Sequence, residues 1–241
     1  MTIECAENPV GGGLVSSAEW KGVVLGALLE RAKPLPTARF VRLSGADGYT
    51  RSIPFPRAEH RDSLLAHRMN GENLWVSHGG PLRALIPGWY GMDSVKWLRE
   101  IQVVPEAANS TYLRRTRVGD PEPVTAMQVK AAFARPMDGA ILFPRTFILR
   151  GAAWAGENRV RQVEVSMDAG ASWQSVRLLD VARPYAWVRW EREWRIPEPG
   201  AYELVVRATD DAGRTQPAQR DPARVDEYEQ NAYQRVRVVV T

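Results

Sequence analysis

The chain carries one cysteine, Cys5, which stands shortly before three consecutive glycines at positions 11–13. A lone thiol cannot form a disulfide within the chain. Three roles remain open for it: a small buried hydrophobe, a nucleophile, or a ligand for a soft metal ion. The glycines would let the backbone approach a bound ligand closely. The start of the chain is therefore one candidate site for thiolate chemistry.

A second group of reactive side chains lies between positions 78 and 96. It contains His78 before a pair of glycines, then Arg83, then Lys96. These three groups donate hydrogen bonds to anions, and the backbone amides of residues 93–95 could add further donors. Each residue has an ordinary interpretation alone, since a loop histidine is often a local hydrogen-bonding group and a helical lysine is usually solvated. Together they are candidates for binding an anion.

Composition and charge limit the classes of function. The chain has 241 residues, of which 44% are hydrophobic and 25% charged, and these are values of a globular protein with one large domain or two of ordinary size. The net charge of +4 is not concentrated in a basic block, so we expect no nucleic-acid partner. No apolar run reaches the roughly 18 residues of a membrane span, and no signal segment is visible. We expect a soluble chain whose compartment is unknown.

The first half of the chain mixes helix and strand patterns. Apolar spacing predicts a helix over residues 18–33, and alternation predicts a strand over 38–43. Turns are expected at 45–48 and 69–72, and a short buried strand at 82–87. Residues 91–98 are expected to form a turn that leads into a single helical turn.

The second half has a different pattern, which begins after the Pro-Glu-Pro segment at 121–123. Apolar residues alternate there with polar ones in several short segments, and no helical pattern intervenes: 127–133, 147–149, 163–165, 188–194, 202–208 and 236–240. Short alternating segments with turns between them predict an antiparallel β-sandwich. We place the domain boundary within 121–125, which gives units of 1–122 and 123–241.

Several motifs resemble those of one known family. His-Gly-Gly-Pro-Leu-Arg at 78–83, Pro-Gly-Trp-Tyr-Gly at 87–91 and Ser-Val-Lys-Trp-Leu at 94–98 resemble the molybdopterin-binding core of the sulfite oxidase family. The Cys-Ala-Gly-Asn motif of that family is present as Cys-Ala-Glu-Asn at 5–8. The segments 150–156, 163–173 and 231–236 resemble its immunoglobulin-like dimerisation domain. The resemblance extends over nearly the whole chain, in the order of the family.

The resemblance implies a fold, a cofactor and a set of contacts. The fold would be α+β, with a partial molybdopterin-binding domain over 1–122 and an immunoglobulin-like antiparallel β-sandwich over 123–241. The cofactor would be Mo-molybdopterin, with Cys5 as the metal ligand and catalytic residue. The residues implied to contact the pterin and its phosphate are Asp47, His78, Arg83, Ser94, Val95 and Lys96.

The resemblance also implies an activity and partners. The chain would be an oxidoreductase that transfers an oxygen atom to or from a small sulfur compound or oxyanion, with sulfite as the default substrate. It would form a homodimer and pass electrons to a separate acceptor, either a cytochrome or a quinone-linked protein. The chain carries no haem-attachment motif of its own.

Some positions depart from the pattern of the family. Members normally carry a pterin-covering segment ahead of the cysteine, so we expect this chain to be an N-terminally truncated member. Glu7 replaces a glycine, and Asp226 stands where sulfite-oxidising members usually have an arginine, which would disfavour an anionic substrate. Tyr112 is expected to be a packing residue rather than the active-site tyrosine of the family. The alternative function is therefore a non-catalytic relative that acts only as a dimerisation or binding module.

Overall fold

The computed structural model describes residues 1–107, 112–143 and 146–241. Within these ranges the chain consists mostly of short β-strands, with a few short helices between them. The strands of the first half are β1 (Thr2–Glu4), β2 (Val15–Ser17), β3 (Trp20–Val24), β4 (Phe40–Gly45), β5 (Thr50–Pro54), β6 (Leu64–Met69), β7 (Glu72–Asn73), β8 (Arg83–Leu85) and β9 (Leu98–Val104). Its helices are α1 (Leu25–Ala32) and α2 (Phe55–Ala58), with 3-10 turns at Val76–His78 and Gly91–Asp93.

The described residues after β9 form strands joined by turns and loops, with no helix. These strands are β10 (Leu113–Arg114), β11 (Glu122–Pro123), β12 (Lys130–Arg135), β13 (Ala140–Leu142), β14 (Thr146–Trp154), β15 (Val160–Ser166), β16 (Gln174–Ser175), β17 (Arg177–Leu178), β18 (Val188–Arg195), β19 (Gly200–Asp210) and β20 (Gln234–Val240). The predicted α+β class is therefore right only in part, because the two α-helices have eight and four residues.

In the part of the chain that the structure describes, no helix is long and apolar enough to span a membrane.

The single helix predicted over residues 18–33 is wrong. Residues 20–24 form β3, which pairs antiparallel with β6, and helix α1 begins only at Leu25. The β-branched Val23 and Val24 favour the strand. Gly22 permits the pairing, because a Cβ at this position would lie 2.1 Å from the carbonyl oxygen of Leu65. Pairing between strands therefore outweighs the helical spacing over the first part of this segment.

The other local predictions for the first half agree with the structure except at residues 91–98, where a 3-10 turn at Gly91–Asp93 comes first and no helical turn follows it before β9 begins at Leu98. Strands β4 and β8 form where they are expected, and the turns after residues 45 and 69 join β4 to β5 and β6 to β7. The strands are arranged as a sheet β5-β4-β9, a sheet in which β6 pairs with β3, β7 and β8, and the hairpin β1-β2. Their shared core includes Leu25, Leu29, Val41, Leu43, Ile53, Ile86 and Val95.

The second half forms two sheets that share one hydrophobic core. One sheet has the order β12-β14-β18-β17, and the other has the order β13-β20-β19-β15-β16. Trp190 and Trp194 lie in the shared core, as do Leu149, Val163, Leu204 and Val236. The predicted antiparallel arrangement needs one correction, because the edge strand β13 pairs parallel with β20. All other pairings in these two sheets are antiparallel.

A separate cluster of apolar side chains joins the two halves. Ala6 and Tyr90 of the first half pack in it with Val124, Met127 and Trp154 of the second. The segment that contains Cys5 therefore lies against the second half of the chain as well as against the first.

Candidate cofactor site

A cavity of about 570 Å³ opens beside the N-terminal segment. Six of the seven predicted site residues line it, although they come from four separate parts of the sequence. These six are Cys5, Asp47, Arg83, Ser94, Val95 and Lys96. The other lining residues include Leu14, Tyr49, Met92, Trp97 and Tyr112. The fold thus brings the thiol and the cationic side chains into one cavity.

Cys5 lies on a turn that directly follows β1. Its amide donates to the carbonyl oxygen of Leu14 at 3.0 Å, and its own carbonyl accepts from the amide of Asn8 at 3.0 Å. The residue is exposed, although both of its flanking residues, Glu4 and Ala6, are buried. A packing role is therefore excluded for this cysteine, and its thiol is free to meet a ligand in the cavity.

Arg83 is a buried cation whose described contacts include no carboxylate. Its Nε donates to the carbonyl oxygen of Ser94 at 3.2 Å, and Nη1 donates to that of His78 at 3.1 Å. Only 7% of the residue is exposed, and burial lowers its pKa to about 10. A charged group in this position is costly unless it meets an anion. An anionic ligand in the cavity would remove that cost.

Lys96 adds a second positive charge to the same cavity. Its Nζ donates to the carbonyl oxygen of Ser77 at 2.7 Å and lies 5.4 Å from the centre of the Trp97 ring. Burial lowers the pKa of Lys96, and the nearby charge of Arg83 lowers it further. The side chain crosses Gly79, which has a φ of +101° and where a Cβ would lie 2.8 Å from the Lys96 Cγ. The first glycine of the pair, Gly79, therefore leaves room for this lysine.

Three other predicted residues contribute in different ways. The exposed Asp47 accepts a hydrogen bond from the amide of Tyr49 at 3.1 Å. The Ser94 hydroxyl accepts from the amide of Ile86 at 3.3 Å, so it fixes the loop. Val95 is buried in the core of the first half. Ser94 and Val95 thus have structural roles in the loop and the core. Asp47 instead presents an exposed carboxylate to the cavity.

His78 is the predicted residue that does not line the cavity. It ends a 3-10 turn, and its side chain is exposed. Its carbonyl oxygen, rather than its imidazole, accepts the hydrogen bond from Arg83. A role for the imidazole remains a prediction from the resemblance.

Some lining residues were not among the predicted site residues, and they include Tyr49, Met92, Trp97 and Tyr112. The Tyr49 hydroxyl donates to the carbonyl oxygen of Met92 at 2.9 Å, and burial raises the pKa of Tyr49 above its ordinary range. Trp97 donates through Nε1 to the carbonyl oxygen of Val76 at 2.7 Å. Tyr112 lines the cavity and also packs against Tyr228, with ring centres 5.6 Å apart. The only sequence signal for three of them is their position beside Asp47 or within the segment 91–98.

Asp226 is not a free negative charge. It forms ion pairs with Arg224 at 2.7 Å and Arg220 at 3.1 Å, and it accepts from the amides of Arg115 and Tyr228. Burial would raise the pKa of Asp226, but these hydrogen bonds, with that of Arg224 the largest among them, hold it well below its usual range. The repulsion of sulfite that the sequence suggests is therefore weakened by two arginines.

The donor set fits a metal that is carried by a cofactor. Among the described residues, no group of three or more His, Cys, Asp and Glu side chains could hold a metal ion alone. A soft metal beside Cys5 would take a single thiolate ligand from the protein, and the cofactor would have to supply most of its other ligands. Arg83 and Lys96, for which no acidic partner is found among the described residues, suit the phosphate of such a cofactor.

Two family models match the chain along almost its full length. The oxidoreductase molybdopterin binding domain matches residues 1–112, and the Mo-co oxidoreductase dimerisation domain matches residues 122–241. The chain belongs to the sulfite oxidase family. Mo-molybdopterin is the cofactor that these matches indicate, and the cavity has the residues to hold it.

Members of the sulfite oxidase family with curated functions include different enzymes. A sulfite oxidase from Gallus gallus is 33% identical, in an alignment that covers 90% of this chain and 56% of that protein. A nitrate reductase (NADPH) from Leptosphaeria maculans is 31% identical, with 86% of this chain and 29% of that protein covered. The chain thus spans about half the length of the sulfite oxidases that it matches, or less.

A solved structure supports the same assignment over the whole fold. The sulfane dehydrogenase SoxCD from Paracoccus pantotrophus superposes with a TM-score of 0.85 and 27% sequence identity. The match covers 97% of this chain and 67% of that one. Both halves of the chain therefore have the architecture of this family.

Proposed function

We propose that this chain is the catalytic part of a Mo-molybdopterin oxidoreductase that transfers an oxygen atom to or from a small sulfur compound or oxyanion. The observation that carries the proposal is the position of one exposed thiol in the same cavity as two cations without a described acidic partner. A module used only for dimerisation or binding would have no need of this costly combination of charges.

Each of the predicted site residues has a role in this proposal. Cys5 supplies a thiolate to the molybdenum, Arg83 and Lys96 bind the phosphate of the pterin, and Asp47 accepts a hydrogen bond from the pterin ring. Ser94 and Val95 position the loop that carries Lys96, and the resemblance assigns His78, which lies outside the cavity, a further contact with the cofactor. When bound, the cofactor supplies the two-electron redox chemistry of oxygen transfer. The protein supplies binding, orientation and a partly apolar wall.

Metal analysis and substitution of Cys5 test the proposal. We expect the purified chain, expressed in a host that makes molybdopterin, to hold molybdenum and pterin in nearly equal amounts. Cys5→Ser should retain the fold, because the residue is exposed, but should lose oxygen transfer, because a hydroxyl is a poor ligand for a soft metal. Ser16→Ala, in an exposed residue of the same cavity, is the control. A folded wild-type chain without metal would support the non-catalytic alternative instead.

Sulfite is the substrate that we propose first. The sulfite oxidases are among the most similar curated relatives, but nitrate reductases match at nearly the same identity. Oxidation of sulfite with an artificial electron acceptor, and reduction of nitrate with an artificial donor, separate the two classes. We propose a cytochrome or a quinone-linked protein as the natural electron acceptor.

We propose that the second half, an immunoglobulin-like sandwich that begins within residues 121–125, forms a homodimer. An exposed apolar strip supports this, since Ile141 and Val239 lie opposite each other in the register of β13 and β20, and Phe143 follows them. Exposed apolar strips of this kind are typical of protein interfaces. Ile141→Asp should shift the chain from dimer to monomer in light scattering. Leu35→Asp, in an equally exposed residue of the first half, should not.

A further inference from the structure

A buried ion pair joins the Cys5 segment to the second half of the chain. The ammonium group of Lys130 lies 2.9 Å from Oε1 of Glu4, the residue immediately before Cys5. Glu4 and Lys130 are 1% and 3% exposed, so both charges are removed from water. The two residues are separated by 126 positions in the sequence. The pair is therefore a tertiary contact between the two halves.

The same lysine also holds the residues that follow Cys5. Its Nζ donates to the carbonyl oxygen of Asn8 at 2.9 Å and to that of Pro9 at 3.2 Å. The Asn8 side chain donates from Nδ2 to Oε1 of Glu4 at 2.9 Å and accepts at Oδ1 from the amide of Leu14 at 3.0 Å. All three described hydrogen bonds of the Lys130 ammonium group thus end on residues within four positions of Cys5.

A second group from the same sheet completes the arrangement. Trp154 donates from Nε1 to Oε2 of Glu4 at 2.7 Å. Lys130 and Trp154 are directly opposite each other in the register of β12 and β14, so their donors lie side by side. Each oxygen of the Glu4 carboxylate therefore has its own donor from the sheet. This gives the carboxylate a fixed orientation relative to the second half.

A buried ion pair of this kind is not explained by stability alone. Removing two charges from water costs about as much as their attraction returns, so a well-packed apolar pair would often stabilise the fold as well. An ion pair with directed hydrogen bonds does, however, fix position and angle. Here the ion pair fixes the position and orientation of the few residues on either side of Cys5.

We propose that Lys130 and Glu4 are positioning residues, which hold the turn of residues 5–8 so that the Cys5 thiol faces the cavity. The second half of the chain then sets the geometry of the metal ligand in addition to any role in dimerisation. The expected effect on metal binding rests on the proposed function. The expected effect on the turn in the metal-free protein does not depend on that function.

Hydrogen exchange of the metal-free full chain tests the positioning itself. Three amides report on the turn: that of Cys5, bonded to Leu14, that of Asn8, bonded to Cys5, and that of Leu14, bonded to the Asn8 side chain. In Lys130→Met we expect exchange in residues 4–14 to become faster by about ten-fold or more, because the turn opens locally. Exchange within about two-fold of the wild type would overturn the proposal.

Arg207→Met is the matched control. Arg207 forms a partly buried ion pair with Glu164, 2.9 Å apart, between strands β15 and β19 of the second half. Arg207→Met removes one positive charge, as Lys130→Met does. Arg207 has no described contact with residues 4–14. We expect this variant to leave exchange in that segment unchanged. Equal acceleration in both variants would indicate a general loss of stability and would refute a positioning role.

A double variant keeps the test valid if Lys130→Met does not fold. Glu4→Gln combined with Lys130→Met leaves no unpaired buried charge, and glutamine keeps an acceptor for Asn8 or Trp154. We expect it to fold while still exchanging rapidly at residues 4–14. Molybdenum content then provides the second measurement, and we expect it to fall by about ten-fold in the double variant and not in Arg207→Met. A wild-type chain that never binds molybdenum would refute the proposed function but not the positioning.

Discussion

Arg51 and Asp93 form a buried ion pair, in which Nη2 of the arginine lies 2.7 Å from Oδ1 of the carboxylate. Asp93 directly precedes Ser94 of the cavity wall. Its second oxygen, Oδ2, is buried and accepts no hydrogen bond among the described residues. Burial therefore raises the pKa of Asp93 to about 6, although Arg51 acts in the opposite direction. The loop beside the cofactor cavity thus contains a carboxyl group that titrates close to neutral pH.

This carboxyl group predicts an unusual dependence of stability on pH. Because the pKa of Asp93 is higher in the folded chain than its ordinary value of 3.8, the folded state binds the proton more tightly than the unfolded state. Stability should therefore increase as pH falls from 7 to 5, by about 1 kcal/mol relative to a variant that lacks the group. Urea unfolding of the wild type and of Asp93→Asn at both pH values measures this difference.

Asp47→Asn is the control for this pH dependence, since Asp47 lines the same cavity but is exposed. We expect the free energy of unfolding of this variant to follow the wild type between pH 7 and 5. Parallel curves for the wild type and Asp93→Asn would show that Asp93 does not titrate in this range.

Replacing Arg83 should separate stability from cofactor binding. Arg83→Met removes a buried cation whose pKa is lowered by burial, so the metal-free chain should be as stable as the wild type or slightly more stable. Binding of the cofactor should weaken by about ten-fold or more, because the phosphate loses a charge-assisted partner. Thermal melting of the metal-free chain and the pterin content after purification are the two measurements.

Arg39→Met serves as the comparison for Arg83. Arg39 is exposed, and its described hydrogen bonds also go to backbone carbonyl oxygens, those of Pro36 and Ala38. It should leave the pterin content unchanged. If Arg83→Met retained the full pterin content, Arg83 would not be part of the cofactor site.

Local sequence patterns were sufficient to predict most of the second half. The alternation of apolar residues over 188–194 and 202–208 agrees with β18 and β19, because both strands bury one face in the shared core. The pattern failed at residues 18–33, where pairing with β6 converts the first part of a helical spacing into a strand. It also gave no sign that β13 pairs parallel with β20, since pairing direction depends on distant residues.

The candidate site was predictable only where a motif marked it. The motifs around Cys5, Arg83 and Lys96 resemble those of the family, and the fold brings all three to one cavity. Lys130 carries no such mark, because it lies in an alternating strand segment and reaches Glu4 only through the packing of the two halves. Contacts over 126 positions cannot be read from spacing in a single sequence.

Glu7 should weaken the binding of anions at the cavity. This exposed carboxylate lines the wall beside Cys5, and no described side chain forms an ion pair with it. Glu7→Gln should lower the KM for sulfite by a few-fold, which corresponds to about 1 kcal/mol for an exposed charge. The effect should shrink at high salt. Glu30→Gln, in an exposed residue of helix α1, should not change KM, and an unchanged KM in Glu7→Gln would place the substrate away from Glu7.

Asp226 should stabilise the loop of residues 220–230 at neutral pH and lose this effect in acid. Its pKa is held below the ordinary value of 3.8, so the stabilisation is present above that value and disappears as the folded group takes up a proton. Asp226→Asn should cost about 2 kcal/mol or more at pH 7, because Arg220 and Arg224 lose their buried partner. The cost, measured by urea unfolding, should decrease towards pH 3. Asp221→Asn, an exposed residue of the same loop, should cost much less, and equal costs in the two variants would contradict this account.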